Sequence, residues 1–345
     1  MNLFASVLTY PAPSANYRGE SAENRAVIQK ITKGRFEYPI ISPEAVRNAL
    51  RETLQKLGLP CNRSRLPDEE QLAVMFEDYP DADRFADDFF MGWLVAASGN
   101  DRKKIKKKLE DNKRDLKEFT FKRDSILRMN MAVALEPYRH DSVFTQSPLN
   151  VESPWKNADS SQLLHRETAY TPYRYPFAIN LGDCDCRNSK CKHKDPKAGE
   201  ESVCKRYWTK TLLRAIGELN NVAGNHARSY FEFAPASIVL RLTERLVAGF
   251  NTYGFAVDES GRHLFPEVVD GLVRGSNRQK DDAGDEGIDR EIPDYPSEEI
   301  FLGGKIVKDM SEAVADSLRA AKVTLDRNPQ RLLDTVAAKA FGEEE

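Results

Sequence analysis

No apolar run in this sequence approaches the roughly 18 to 20 residues that a membrane-spanning helix needs. Cysteine, tryptophan and histidine are scarce, with 5, 3 and 5 residues. The chain has no Gly-rich loop ending in Lys-Ser/Thr, no His-Glu-x-x-His and no Gly-x-Ser-x-Gly. It therefore lacks the phosphate cradle, the zinc-protease pair and the nucleophile elbow. Leu302-Gly303-Gly304-Lys305 reads as a turn before a strand, and His140-Asp141, without partner metal ligands, reads as a loop. Carboxylates are abundant, but no spacing sets a general acid against a general base. The expectation is a protein that is not an enzyme. Met1 to Tyr10 is apolar, but no Lys or Arg precedes it, and Pro11 and Pro13 follow where a small-residue cleavage site would stand. It reads as a first strand rather than a signal peptide, with a cytoplasmic location and no membrane partner as the expectation.

A large excess of one charge is also absent: 51 Lys and Arg face 54 Asp and Glu, for a net charge of −3. The distribution is uneven. Arg102 to Arg128 holds twelve basic and five acidic residues, and Asp281 to Glu299 holds nine acidic residues and one Arg. A near-neutral average thus conceals a basic stretch and an acidic one. The basic stretch reads either as a solvated helix face or as a polyanion contact.

The 345 residues, 40% of them hydrophobic, are enough for one large domain with insertions or for two smaller ones. Leu3 to Tyr10 reads as a buried strand and Pro11 to Gly19 as a loop. Ser42 and Pro43 form a clean helix start, and Ala45, Val46, Ala49, Leu50, Leu54 and Leu57 recur at helical spacing until Gly58 and Pro60 end the pattern. On that helix Arg47 and Arg51 are predicted to stack on the exposed side, with Asn48 beside them. Residues 61–125 read as mostly helical, with an apolar helix at Phe89 to Ala97 and a lysine-rich helix capped by Asn100 or Asp101. Leu127, Met129, Met131, Val133 and Leu135 alternate as one strand. Tyr138 to His165 is a long excursion, of the kind that is usually functional. Tyr173 to Leu181 is the clearest strand. Tyr207 to Leu219 is an amphipathic helix, and two short helices, about Ser311 to Leu325 and Pro329 to Phe341, close the chain. This order predicts an α+β fold with helices on one face of an antiparallel sheet, of the ferredoxin-like or RNA-recognition-motif-like kind.

Four of the five cysteines cluster, with a histidine, as Cys184-x-Cys186-x4-Cys191-x-His193-x10-Cys204; Cys61 stands alone. A polar, Lys-rich loop has no apolar core of its own, and Zn²⁺ held by four Cys or His ligands would staple it. Structural zinc is the leading reading, ahead of free thiols and a redox pair. Asn16, Arg18, Lys30, Lys33 and Arg35 precede the Ser42 helix, and Arg47, Asn48 and Arg51 lie on it. These are the residue types that bind phosphate, often at a helix start, and they could converge on one polyanion.

Asn16-Tyr17-Arg18-Gly19-Glu20-Ser21, followed by Ile41-Ser42-Pro43-Glu44-Ala45-Val46-Arg47-Asn48-Ala49-Leu50-Arg51, resembles the DevR-type backbone family of CRISPR Cascade complexes, the Cas-seven superfamily of type I and subtype I-B-like systems. Further matches are the Arg128 to Leu135 stretch, His165-Arg166-Glu167-Thr168 running into Tyr173 to Leu181, and Gly224-Asn225-His226-Ala227-Arg228 before Phe233-x-Pro235. Their order carries the likeness, over roughly Met1 to Thr243; the cysteine loop and the residues after about Phe265 add nothing to it.

The resemblance implies a hand-like RNA-binding subunit. Its palm, at 1–60 and 126–260, would be RNA-recognition-motif-like. A helical fingers insertion would occupy 61–125 and a thumb hairpin 138–168. The cysteine-rich loop at 182–206, expected to hold zinc, and a C-terminal extension with an acidic linker at 261–345 lie outside that plan. Its implied partners are a guide RNA, target DNA, further copies of the chain and other Cascade subunits. Guide phosphates would be held by Asn16, Arg18, Lys33, Arg47, Asn48 and Arg51, by Arg128, His165 and Arg166 near the thumb root, and by Asn225, His226 and Arg228. Phe144, Leu149 and Trp155 are candidate thumb wedges between bases. The lysines from Lys103 to Lys108 could face target DNA or the displaced strand. Two other readings remain open at this point: a guide-dependent ribonuclease of the type III backbone kind, and a zinc-containing transcription autoregulator.

Overall fold

The computed structural model describes residues 1–22, 25–65, 74–111, 120–146, 163–184, 205–222, 232–278 and 295–341. The chain begins with strand β1 (Asn2–Leu8), then β2 (Ala12–Ser14), β3 (Tyr17–Ala22), β4 (Arg25–Ile28), β5 (Lys30–Lys33) and β6 (Phe36–Ile41), and enters helix α1 (Pro43–Lys56). Next come β7 (Arg63–Arg65), β8 (Val74–Phe76), α2 (Ala86–Met91), β9 (Trp93–Leu94), α3 (Gly99–Asp111) and β10 (Lys122–Arg123). They are followed by β11 (Leu127–Met129), β12 (Ala132–Ala134), β13 (Ser142–Gln146), β14 (Leu163–Glu167), β15 (Ala169–Thr171), β16 (Tyr173–Asn180) and α4 (Arg206–Gly217). The remainder is β17 (Ser237–Thr243), β18 (Ala256–Val257), β19 (His263–Leu264), α5 (Pro266–Arg278), β20 (Ile300–Gly304), α6 (Lys305–Asp309), α7 (Glu312–Ala320), β21 (Thr324–Asp326) and α8 (Pro329–Phe341).

The framework is a nine-stranded sheet in the order β21-β20-β17-β1-β16-β12-β6-β5, with β11 also on β16. Leu3, Ala5 and Val7 of β1 share a core with Val46, Leu50 and Leu54 of α1, Leu212 and Ile216 of α4, and Leu332 and Val336 of α8. α1 forms as its sequence dictates. The Ser42 side chain accepts from Ala45 N, Pro43 begins the helix, and its buried residues include Val46, Ala49, Leu50 and Leu54. Gly58 supplies the left-handed residue (φ +85°) just beyond its end.

Helices on one face describe only half of the sheet. Around β17 and β20 the opposite face is covered too, where Val239, Ile300 and Leu302 pack with Phe255, Phe265, Val268, Leu272 and Leu318 in a second core. All seven residues of β17 are buried for this reason. A strand covered on both faces reads as a continuous apolar run without alternation, which is why periodicity shows no strand at Ser237–Thr243. The C-terminal segment is therefore no appendage. β20 and β21 extend the central sheet, β21 pairing parallel to β20, and the expected helix over Ser311 to Leu325 stops at Ala320 before β21.

Other expectations shift for local reasons. Leu302 to Lys305 is not a turn before a strand but the end of β20 running into α6. Gly304 adopts φ +88°, and a Cβ there would meet the Ala236 carbonyl oxygen at 2.1 Å, so the glycine serves a close backbone approach. The segment expected to be one strand from Leu127 to Leu135 is broken. Leu127 pairs with Ile179 and Met129 with Phe177, but Ala134 pairs with Tyr173, so one extra residue is accommodated between β11 and β12. That bulge inverts the buried phase to Ala132 and Ala134. The expected loop from Pro11 to Gly19 contains β2 and the start of β3. Residues 61–125 are less helical than expected. Gly92 (φ +62°) ends α2, and β9 follows where a helix is predicted to run on to Ala97. Ser98, rather than Asn100 or Asp101, caps the lysine-rich α3, its hydroxyl accepting from Asp101 N.

Candidate nucleic-acid interface

The sequence-predicted residues fall into two groups that meet at the junction of β6 and α1. The first surrounds the stem of the 138–168 excursion. β13 and β14 are antiparallel, with Val143 opposite Arg166 and Phe144 opposite His165, and β14 also runs parallel to β4. With β3 they form a separate four-stranded sheet. Its anchor is Glu167, buried to 3% exposure, which accepts from Ile28 N (3.3 Å) and Lys30 Nζ (3.4 Å). Burial alone would raise its carboxyl, but the Ile28 N–H and the Lys30 ammonium hold it below the usual carboxylate range. Lys30 also stands 3.9 Å over the Tyr138 ring. Thr168 N donates to Asp141 O, so the expected loop at His140-Asp141 closes the base of the stem.

On this anchored stem the rings of Phe144 and His165 meet edge-on, 5.2 Å apart, and both residues are exposed. Arg166 is half-buried beside Tyr17. Asn16 donates from Nδ2 to Ile40 O (3.3 Å), tying the approach to β3 onto β6 two residues before the α1 cap. Arg18 lies on β3, with its side chain outside those described. Lys33 is exposed at the β5–β6 hairpin, next to Gly34 (φ +62°). Leu149 and Trp155, together with Asn225, His226 and Arg228, lie outside the described residues.

The second group is on α1 and β11. Arg47 is half-buried and reaches Leu127 O with Nη2 (3.4 Å), while its Nε has no hydrogen-bond partner among the described residues. Burial, and then the neighbouring Arg63, lower its pKa against the opposing pull of Glu44. Arg128 is exposed on β11. Arg51 requires correction: it does not stack with Arg47 on the exposed side. It is 6% exposed, donates to Asp87 Oδ2 (3.0 Å) and gives a second bond to Asn48 Oδ1 (2.7 Å). The reason is Asp87, itself fully buried, which also accepts from Asn62 N, Arg63 N and Arg63 Nε. A buried carboxylate requires a cation, and the α1 face is where one is available. Arg51, with Asn48 as its partner, thus belongs to the joint between α1 and the inserted segment, which leaves Arg47, half-buried, and Arg128, exposed, as the cations of this group not spent on that joint.

The sequence reading misses that joint. Asp87 and Asp88 stand in an otherwise apolar Ala-Asp-Asp-Phe-Phe-Met run, and two adjacent acids in such a run were the available signal. Of the five candidate zinc ligands, Cys184 alone lies among the described residues. It sits fully buried in the first core, with Sγ against Asn180 O (3.5 Å), rather than in a polar loop. Cys186, Cys191, His193 and Cys204 lie outside the described residues.

α3 presents a separate basic face. Leu109 is buried and Ile105 half-buried, while Lys103, Lys104, Lys106, Lys107 and Lys108 are exposed. No acid among the described residues pairs with these five lysines. No helix among the described residues is long and apolar enough to cross a membrane.

No protein-family model matches the chain. A curated protein of Myxococcus xanthus (strain DK1622), CRISPR-associated protein Cas7/Cst2/DevR, is 25% identical to it over 333 residues, covering 94% of this chain and 93% of that protein. Among solved structures, a chain of a CRISPR RNA-guided surveillance complex superposes with a TM-score of 0.50 at 14% identity, covering 99% of this chain and all of that one. A chain of a pre-nicking CRISPR RNA-guided surveillance complex gives 0.52 at 12% identity, with the same coverage. The similarity to the curated Cas7/Cst2/DevR protein therefore runs through nearly the whole chain.

Proposed function

We propose that this chain is a guide-RNA-binding backbone subunit of a CRISPR Cascade-type complex. It oligomerises along the guide, grips phosphates and leaves the bases free to pair with target DNA, in antiviral defence or RNA-guided DNA targeting. It catalyses no reaction itself. The whole-length similarity to Cas7/Cst2/DevR carries this reading. The connectivity supports it: β1-α1-β11/β12-β16-α4-β17, with sheet order β17-β1-β16-β12, has the βαββαβ pattern of an RNA-recognition-motif-like palm. The β13–β14 hairpin serves as thumb stem, with Phe144 and His165 as its exposed ring pair and Leu149 and Trp155 as further wedges. Arg18, Lys33, Arg47, Arg128 and Arg166 hold guide phosphates, with Asn16 and His165 beside them and Asn225, His226 and Arg228 further along the guide. Such contacts fix position and carry no sequence information, which suits a subunit whose specificity comes from base pairing.

Purification with bound nucleic acid retained tests the reading. A CRISPR-repeat-derived RNA is expected in the preparation. Its absence from every preparation, together with specific binding to a promoter duplex without guide RNA, would instead favour an autoregulator.

The cysteine loop is proposed as a structural zinc site. Four of Cys184, Cys186, Cys191, His193 and Cys204 supply the ligands of a closed tetrahedral site, with His193 or Cys186 as the spare one. Stoichiometric zinc by elemental analysis is the expected result, lost on Cys191→Ser; zinc-free protein of unchanged stability would sink the proposal.

A further inference from the structure

Beyond Thr243 the chain leaves the central sheet through residues 244–247, all exposed. Leu246 is 86% and Val247 64% exposed. The bend that carries them is anchored: Asn2 Nδ2 donates to Arg245 O (2.9 Å), and the Met1 ammonium pairs with Glu244 (2.9 Å). Two adjacent aliphatic side chains on a fixed bend, with Arg245 alongside, make a knob.

At the opposite end of β17 there is a cleft of about 340 Å³. It is placed by His263, whose Nδ1 bonds Ser237 Oγ (2.7 Å) and whose backbone N donates to Asp309 (2.9 Å). Leu264, Phe265, Val269, Ile306, Met310 and Val314 line it, and Asp270 is among the residues around it. Asp270 is exposed and has no partner among the described residues. Arg262 and Asp309 also line the cleft but are paired, with Asp258 (2.8 Å) and Lys305 (2.6 Å), so it offers apolar surface and, in Asp270, a negative charge without a partner among the described residues, the complement of the knob. β17 has seven residues, roughly 20 Å of extended chain, so knob and cleft lie at opposite ends and a copy does not fill its own cleft.

We propose that Leu246 and Val247 of one copy seat in this cleft of the next, with Arg245 against Asp270. Because the two surfaces differ, the contact is heterologous and repeats head to tail instead of closing as a dimer. This rests on the reading of the chain as a subunit stacked along a guide, and names the surfaces that stack. The patch is smaller than the roughly 800 Å² per partner of a standard interface. Copies bound side by side on one RNA gain effective concentration, so the contact shows as cooperativity on RNA more than as free oligomers.

The test compares the full chain with a knob variant (Leu246→Asp with Val247→Asp) and a rim variant (Asp270→Arg), on a single-stranded RNA long enough for one copy and on one long enough for several. All three are expected to bind the short RNA equally. On the long RNA the wild type binds cooperatively, and each variant loses cooperativity and at least about tenfold in affinity. Arg245→Asp combined with Asp270→Arg restores both by reversing the charge pair. Equal cooperativity in all variants, or none in the wild type, overturns the interface and leaves the RNA reading standing. If no protein binds either RNA, that reading falls and sedimentation at high protein concentration decides the interface. Knob and rim variants should then each be monomeric alone and form only dimers when mixed, and a monomeric wild type would overturn it.

Discussion

Asp87→Ala is expected to lower the stability of the chain by about 3–5 kcal/mol, the range for removing one partner of a buried ion pair. The substitution strands several groups at once. Arg51 would remain buried with only Asn48 and the Met91 sulfur, and Arg63 would lose its Nε partner. The Asn62 and Arg63 backbone N–H groups would lose their acceptor. Neighbouring Asp88 is a poor substitute. Burial raises its carboxyl pKa, and it already accepts from Asn62 Nδ2, Arg63 and Asp81 N. The Arg84–Asp78 pair is the internal contrast, since both side chains are more than a third exposed; Arg84→Ala should cost less than about 1 kcal/mol. Urea denaturation of the two variants measures the difference. A loss below 1 kcal/mol for Asp87→Ala would mean that the joint between α1 and the inserted segment is not held by charge.

The second large effect concerns α3. Replacing Lys103, Lys104 and Lys107 by alanine is expected to weaken binding of duplex DNA by roughly a hundredfold near 0.15 M salt. Each phosphate contact contributes about 0.9 to the slope of log K against log salt, or roughly 0.7 log units at that concentration, and three contacts are removed. The salt slope should fall by about 2.7 at the same time. The fold should tolerate the change, because these side chains are exposed and alanine is the best helix former, while Ile105 and Leu109 keep the helix docked. Guide-RNA binding is the discriminating measurement. It should be unchanged if α3 serves a second strand, and weakened in parallel if α3 belongs to the guide path. Unchanged affinity for both nucleic acids would make the lysines a solvated face and nothing more.

Legibility differed from element to element for physical reasons. α1 was readable from end to end, because its cap, first-turn proline, apolar stripe and terminal glycine are all local signals. β16 was equally plain, since one face is buried and the other is less so, and the alternation survives along the strand. β11 and β12 were legible as extended chain but not in phase, because a bulge is set by the partner strand and not by the residues that carry it. β17 was invisible, although every one of its residues is buried, because burial on both faces erases the alternation that marks a strand.

The candidate site divides along the same line. The clustering of cationic residues near Asn16–Arg18 and along α1 and α3 is written in the chain. Which of those cations are available to a polyanion is not. Arg47 and Arg51 are alike in sequence and one helical turn apart, yet Arg51 is consumed by Asp87, 36 residues away, while Arg47 stays half-buried, its Nε without a partner among the described residues. Burial of an acid elsewhere in the chain decides this, and no local pattern encodes it. The sequence by itself determined the start and end of α1, the alternation of β16 and where cationic residues cluster along the chain. Only the tertiary structure decided which charges are spent holding the fold together and which are left for a partner, because the cost of burying a charge depends on what the fold brings beside it.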